Sequence, residues 1–437
     1  MRLLSFFLVF FILYSSHVNS QSSIIDSNKH LLTILSHPSV IEKKLVSLSN
    51  QALIDEAKSQ LLPSVNFSTS GGYSVFGNYS NSNTRTRDAS GDYIDGKINT
   101  RQLIYDSDTT VLNIRSQISK TSSTQFDIKI AENEIIYKFL LFCLETLKYD
   151  KYKDLYNKTI SNLNRLSELA EKKFIAGLTD EKEFREIKML LTELEVNQEA
   201  FDRLTQTAVK TLSSEFGEDT ELSMSTFTRL IEFSKTEDIQ KLISSSQNKQ
   251  FSIKQLQFQS KSLNDAILAN ENDKMPKVFL NLDTTFFNIN ELDTEYEISA
   301  NLSVDLPFFD AGANASRGSS LQLQNESILS RIDLETKNAS RRLLSINENQ
   351  QNNIEQIETI ERQAHEVRDY LSQLNTKLGS VEVSLREIAS SYKKLYDLQE
   401  IKFSKAYEQD LLHLETIALK ESWGELANLL INQSIKQ

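Results

Sequence analysis

Residues 297–310 read Glu297-Ile-Ser-Ala-Asn-Leu-Ser-Val-Asp-Leu-Pro-Phe-Phe-Asp310. Ile298, Ala300, Leu302, Val304, Leu306 and Phe308 alternate with Glu297, Ser299, Asn301, Ser303 and Asp305. A period of two marks a strand with one apolar and one polar face. Asp310-Ala-Gly312 breaks the strand, and a very long helical pattern follows. Lys97 to Asp106 does the same more weakly and also opens onto a long helix.

Working outward, Lys277 to Phe287 is the partner strand, with Val278, Leu280, Leu282 and Phe286 on one face. Met275-Pro276 precedes it as Leu62-Pro63 precedes an earlier strand carrying Val65, Phe67, Thr69, Tyr73 and Val75; a residue before proline is pushed out of the helical region. A polar loop over 77–91 leads to a second strand from Tyr93 to Tyr105. From Ser107 to Phe174 there is no Pro and no Gly, which at 1.5 Å per residue is roughly 100 Å of helix, too long for a compact domain. Phe174 to Asp180 is a turn, with Gly177 as helix C-cap. The second long helical region runs from Ala313 to about Lys402. There Leu371, Leu374, Leu378, Val381, Leu385 and Ile388 keep three- and four-residue steps, a heptad seam for lengthwise packing. Lys402-Phe403 mirrors Lys173-Phe174 and predicts a second turn near 403–410. On this alignment the second copy is roughly 25 residues longer between strand and turn.

These elements divide the chain into an export signal at 1–20 and a first repeat at 21–217, with a hairpin at 64–105 and a turn near 174–180. A polar connector at 218–250 follows, then a second repeat at 251–437, with a hairpin at 277–309 and a turn near 403–410. The signal rests on Arg2, the apolar run Leu3 to Tyr14 and the small-residue site Val18-Asn19-Ser20. The net charge of −12 over 437 residues argues against nucleic acid as partner. A single cysteine, Cys143, excludes an intramolecular disulfide and a cysteine metal cluster.

Each of the four strands is long enough to cross an outer membrane. Two hairpins cannot close a barrel, because the smallest membrane barrels have eight strands. Open edges in lipid leave backbone groups unpaired at several kcal/mol each. Other chains must therefore supply the missing strands, and three chains make twelve. The alternative is a soluble sheet that buries its apolar face on the helices.

The order helix, Leu61-Leu-Pro63-Ser, hairpin, Gln102-Leu-Ile-Tyr-Asp106, long helix, Phe174-Ile-Ala-Gly-Leu178, repeated once, resembles the TolC-type outer-membrane efflux proteins. Leu306-Pro-Phe-Phe-Asp310-Ala-Gly312 is similar to that family's strand-to-helix junction. The resemblance covers nearly the whole mature chain. It implies a mainly α fold with a membrane β-barrel: long antiparallel coiled-coil helices forming an α-barrel, four strands per chain, an internal twofold repeat and a trimeric twelve-stranded β-barrel. It implies an outer-membrane channel reaching into the periplasm, partnered by a periplasmic adaptor and an inner-membrane pump or ABC transporter, for efflux or type I secretion. Ala176, Gly177, Leu178 and Thr179 would face the adaptor, with Ser404, Lys405, Ala406 and Tyr407 as counterparts; Ala406 departs from the usual glycine. Family members place carboxylates just after the second turn as a constriction, and Glu408, Asp410 and Glu415 are the residues available, with His413 among them.

No catalytic constellation is legible. His17, His30, His37, His365 and His413 are scattered, with none in a metal-ligand spacing, and no nucleophile elbow, phosphate loop or dinucleotide fingerprint occurs. An enzyme and a cofactor are not expected. The acidic balance predicts a cation-preferring tunnel. The competing reading is an exported coiled-coil adaptor or adhesin without channel activity.

Overall fold

The computed structural model describes residues 20–74, 78–79, 87–88, 91–217, 219–234, 250–287, 289, 295–377 and 384–435. The apolar run of the expected export signal, most of the loop at 77–91, part of the connector, Val75, Leu378 and Val381 lie outside them. In chain order come α1 (Ser20–Leu35), α2 (Pro38–Ser59), β1 (Ser64–Ser74), β2 (Asn78–Tyr79), β3 (Arg87–Asp88), β4 (Gly91–Tyr105) and α3 (Thr109–Ile175). Then follow α4 (Glu181–Phe216), α5 (Thr220–Ser234), α6 (Phe251–Asn272), β5 (Lys277–Phe287), β6 (Glu295–Asp305), α7 (Ala313–Thr376), α8 (Leu385–Leu419) and α9 (Trp423–Ile435). Two compact units result, one from residues 1–41, 128–251 and 336–437, the other from 42–127 and 252–335.

The second of these units holds a four-stranded antiparallel sheet in the order β1-β4-β5-β6. Its register sets Phe67 against Ile98, Ile98 against Thr284 and Thr284 against Ile298. Because side chains alternate, Val65, Ile98, Leu282, Leu302 and Val304 share one face. A bulge between Leu103 and Tyr105 accounts for the weaker alternation of β4. Each long helix opens on an aspartate. Asp106 accepts from the Thr110 N–H at 2.7 Å, and Asp310 from the Gly312 and Asn314 N–H groups at 2.9 Å. The positive φ of Ser107, Asp108, Ala311 and Gly312 turns the chain sharply from strand to helix. Around α3 and α6 the contacts are small and polar: the Ser116 and Ser262 hydroxyls meet at 3.0 Å, and the Asn272 amide donates to the Ser107 carbonyl at 2.7 Å.

The other unit is helical and has two apolar clusters. One gathers Leu31, Phe139, Leu212, Phe227 and Trp423 from α1, α3, α4, α5 and α9. Trp423 is fully buried; its indole N–H donates to the Leu414 carbonyl at 3.1 Å and its backbone N–H to Asn133 at 3.0 Å. The other joins Leu163, Leu166 and Ala170 of α3, Ile187 and Leu194 of α4, Leu371 and Leu374 of α7, and Leu385, Ile388 and Tyr396 of α8. Among the described residues no helix is long and apolar enough to cross a membrane.

Three expectations are corrected. The second long helix ends at Thr376, and one unbroken helix, α8, runs through 403–410, where a turn was expected. The break lies between Lys377 and Ser384, so α3 and α7 have nearly equal lengths of 67 and 64 residues and the extra length vanishes. Residues 220–234, assigned to a polar connector, form α5, which buries Phe227, Leu230 and Ile231. Past the end of α8, Glu421 at φ +56° turns the chain before Trp423 starts α9.

Candidate functional site

The sheet has two unlike faces. On one, Val65, Phe67, Ile298, Leu302 and Val304 are all exposed, Phe67 at 68% and Leu302 at 69%. On the other, Lys97 and Asn99 contact Asp283 at 3.3 and 2.7 Å, Arg101 pairs with Asp305 at 2.6 Å, and Asn281 donates to Asn301 and Ser303 at 3.0 and 2.9 Å. The Arg101 guanidinium also stacks 3.8 Å over Phe279. Thus the polar face is cross-linked strand to strand, while the apolar face has no cover among the described residues. β1 and β6 are the outer strands.

The second feature is a pair of helix ends in the helical unit. α3 closes in a Schellman arrangement: the Gly177 N–H donates to the Phe174 carbonyl at 2.9 Å and the Leu178 N–H to that of Lys173 at 2.8 Å, with Gly177 at φ +70°. Asp180 caps α4 by accepting from the Glu183 N–H at 2.8 Å. Phe174 stacks on Phe184 with centroids 6.0 Å apart, and Ile175 and Leu178 project into solvent at 77% and 75% exposure. Ala176, Gly177, Leu178 and Thr179 therefore sit together on one turn.

Glu183 ties this turn to the start of α8. One carboxylate oxygen accepts from the Thr179 hydroxyl; the other accepts from the Ser384 hydroxyl at 2.5 Å and the Arg386 N–H at 3.0 Å. Ser384 occupies the N-cap of α8 without capping it by its own side chain, so a carboxylate from α4 serves that helix end instead. Arg386 completes the clasp through Glu186 at 2.7 Å. Burial raises the Glu183 carboxyl, but the hydrogen bonds from Ser384, Thr179 and the Arg386 and Leu385 backbone outweigh it and hold the group below the usual carboxylate range. The sequence carried one signal for the start of α8, the Ser384-Leu-Arg-Glu387 pattern of a helix start.

Ser404, Lys405, Ala406 and Tyr407 are not at a turn. They lie inside α8, about 30 Å or more from Ser384 at 1.5 Å per residue. Glu408, Asp410 and Glu415 share that helix and are not just after the turn. Glu408 pairs with Lys405 at 2.8 Å, and Glu415 receives both Nε and Nη2 of Arg342 at 2.5 and 2.7 Å. A groove of about 410 Å³ lies beside these pairs, walled by Asn349, Asn353 and Gln356 of α7. Lys151 is pushed down to about 8 by burial, against the pull of the Asp410 carboxylate. His413 is buried in α8. No group of three or more His, Cys, Asp or Glu side chains fit to hold a metal occurs among the described residues.

No protein-family model matches the sequence, and no curated protein matches it. Solved structures do. The outer membrane protein VceC of Vibrio cholerae superposes with a TM-score of 0.75 at 12% identity, covering 91% of this chain and 96% of that one. The CmeC outer membrane channel of Campylobacter jejuni gives 0.73 at 12% identity, over 94% and 89% of the two chains. The open state of the MtrE outer membrane channel of Neisseria gonorrhoeae gives 0.69 at 12% identity, over 91% and 89%. With a four-stranded sheet of two unlike faces, long paired helices and near-complete coverage in both directions, the chain has the fold of the TolC-type outer-membrane channels.

Proposed function

We propose that the protein is the outer-membrane channel of an export system, a passive conduit that works as a homotrimer. The observation that carries this reading is the uncovered apolar face of a four-stranded sheet whose other face is polar and cross-linked. In water such a face is a liability; in a bilayer it is the required exterior of a barrel. β1 and β6 have no further partner among the described residues, so other chains would pair their edges, and three copies give twelve strands. The α3–α4 and α7–α8 pairs then form the walls of a helical tunnel in the periplasm, each chain contributing an internal repeat of hairpin and helix pair.

On this reading the turn at Ala176, Gly177, Leu178 and Thr179, with the end of α7 and the start of α8 at Ser384 beside it, faces a periplasmic adaptor that links the channel to an inner-membrane pump or ABC transporter. The exposed Ile175 and Leu178 suit such a contact. The excess negative charge of the chain favours cations in the tunnel.

Membrane fractionation, crosslinking and bilayer recordings test this. The protein should remain with detergent-extracted outer membrane, crosslink to a trimer and open steps whose reversal potential in a salt gradient shows cation preference. A chain that washes off in buffer as a monomer would instead be the exported adhesin or adaptor.

A further inference from the structure

In the helical unit, two ion pairs strut α7 against α8: Arg342 to Glu415 at 2.5 Å, and Glu361 to Lys402. Low numbers on one helix meet high numbers on the other, so the two run antiparallel. At 1.5 Å per residue the struts stand roughly 28 Å apart along α7. Between them lies the groove of about 410 Å³. Asn349, Asn352, Asn353 and Gln356 line its α7 wall. Among the described residues none of these four carboxamides bonds across to α8; Asn349 reaches Ser345 of its own helix, at 3.5 Å. On the facing wall Lys405 and Glu408 pair with each other at 2.8 Å, and Leu411 and Leu412 add an apolar patch. Asn353 is the decisive residue. It is only 6% exposed, it lines the groove, and its carboxamide has no hydrogen-bond partner among the described residues. A buried amide left so costs free energy that a ligand's polar group recovers.

The walls restrict the chemistry of that ligand. Arg342 is neutralised by Glu415 and Lys405 by Glu408, so the groove offers an ion little net attraction. Each carboxamide presents both donors and an acceptor, as each hydroxyl of a sugar does in return. The leucines suit the C–H face of a sugar ring. Struts on either side favour a discrete molecule over a threading chain, and the volume lies in the range of small-molecule sites. We infer that this groove binds a neutral mono- or disaccharide, with Asn353 as its central hydrogen-bonding residue. The site is independent of the channel reading, since every group in it belongs to one helix pair of one chain.

Calorimetry on the full chain, held in a detergent without a sugar headgroup, tests this with maltose as the probe. Binding should saturate, and Asn353→Leu should weaken it at least about tenfold, the loss expected when a buried amide's hydrogen bonds go. Gln356→Ala, at an exposed position, should weaken it about threefold. Circular dichroism checks the fold of each variant, and if Asn353→Leu does not fold, Gln356→Ala decides alone. An absence of saturable maltose binding, or binding that the folded variants leave unchanged, overturns the site. Asn353-dependent binding of a blocked trialanine peptide in place of maltose overturns the saccharide assignment. None of these results bears on membrane extraction or conductance, so the conduit stands or falls separately.

Discussion

Two regions of this molecule treat apolar residues in opposite ways. Around Trp423, side chains from α1, α3, α4, α5, α8 and α9 close on one another until the indole has no exposed surface. On the sheet, Phe67, Ile298, Leu302 and Val304 have regular strand pairing and no cover. The side chains are alike in kind and differ in what lies across from them. Helices at 3.6-residue spacing find cover within the chain, whereas the period-two face is left bare, as the proposed membrane barrel requires. The polar side of the same sheet supports this, because its charges are already paired with one another.

The contrast can be broken by mutation. Trp423→Ala should remove about 3–5 kcal/mol from the helical unit, seen as a lower midpoint in denaturant by circular dichroism. It also removes the indole donor to the Leu414 carbonyl, while the backbone N–H bond to Asn133 is kept. Leu302→Arg should leave that midpoint within about 0.5 kcal/mol yet cost about 2–4 kcal/mol when the residue faces a bilayer midplane, read as lost membrane assembly. If Leu302→Arg instead unfolds the chain in detergent-free buffer, the sheet face is covered by protein and the comparison fails.

Smaller effects sharpen the picture at the helix ends. Gly177→Ala should cost about 1–2 kcal/mol, because its φ of +70° places a Cβ against the following carbonyl; a melting curve checks this. Glu183→Gln should cost about 1 kcal/mol, since an amide replaces a charged acceptor of several hydrogen bonds at a half-exposed site. The sign with pH follows from its lowered carboxyl. The Glu183 contribution is present above the ordinary carboxylate range and is lost as pH falls through its depressed folded value. Wild type and Glu183→Gln should therefore differ at neutral pH and converge in acid, measured as local hydrogen exchange at 384–388.

The two helix turns show where sequence reading succeeds. At Phe174–Asp180, Gly177 supplies the left-handed residue and Asp180 the cap, both local. At the other turn the apolar spacing runs in step from Leu371 and Leu374 to Leu385 and Ile388, so the seam hides the break. Phe403, aligned with Phe174, instead packs against the second apolar cluster from within α8. A Lys-Phe pair fits any amphipathic helix, and that error carried Ser404, Lys405, Ala406, Tyr407, Glu408, Asp410 and Glu415 away from the turn.

The sequence by itself determined the strands, because alternation is a local property: β5 and β6 lie where period two places them, and Pro63 and Pro276 mark the starts of β1 and β5. It also determined the first turn and the existence of helices too long for a compact domain. Only the tertiary structure decided where α7 gives way to α8, since that helix start is capped by Glu183 from another helix. Only it decided which apolar residues are covered. Burial depends on what packs across from a residue, and a period records the face but not its partner.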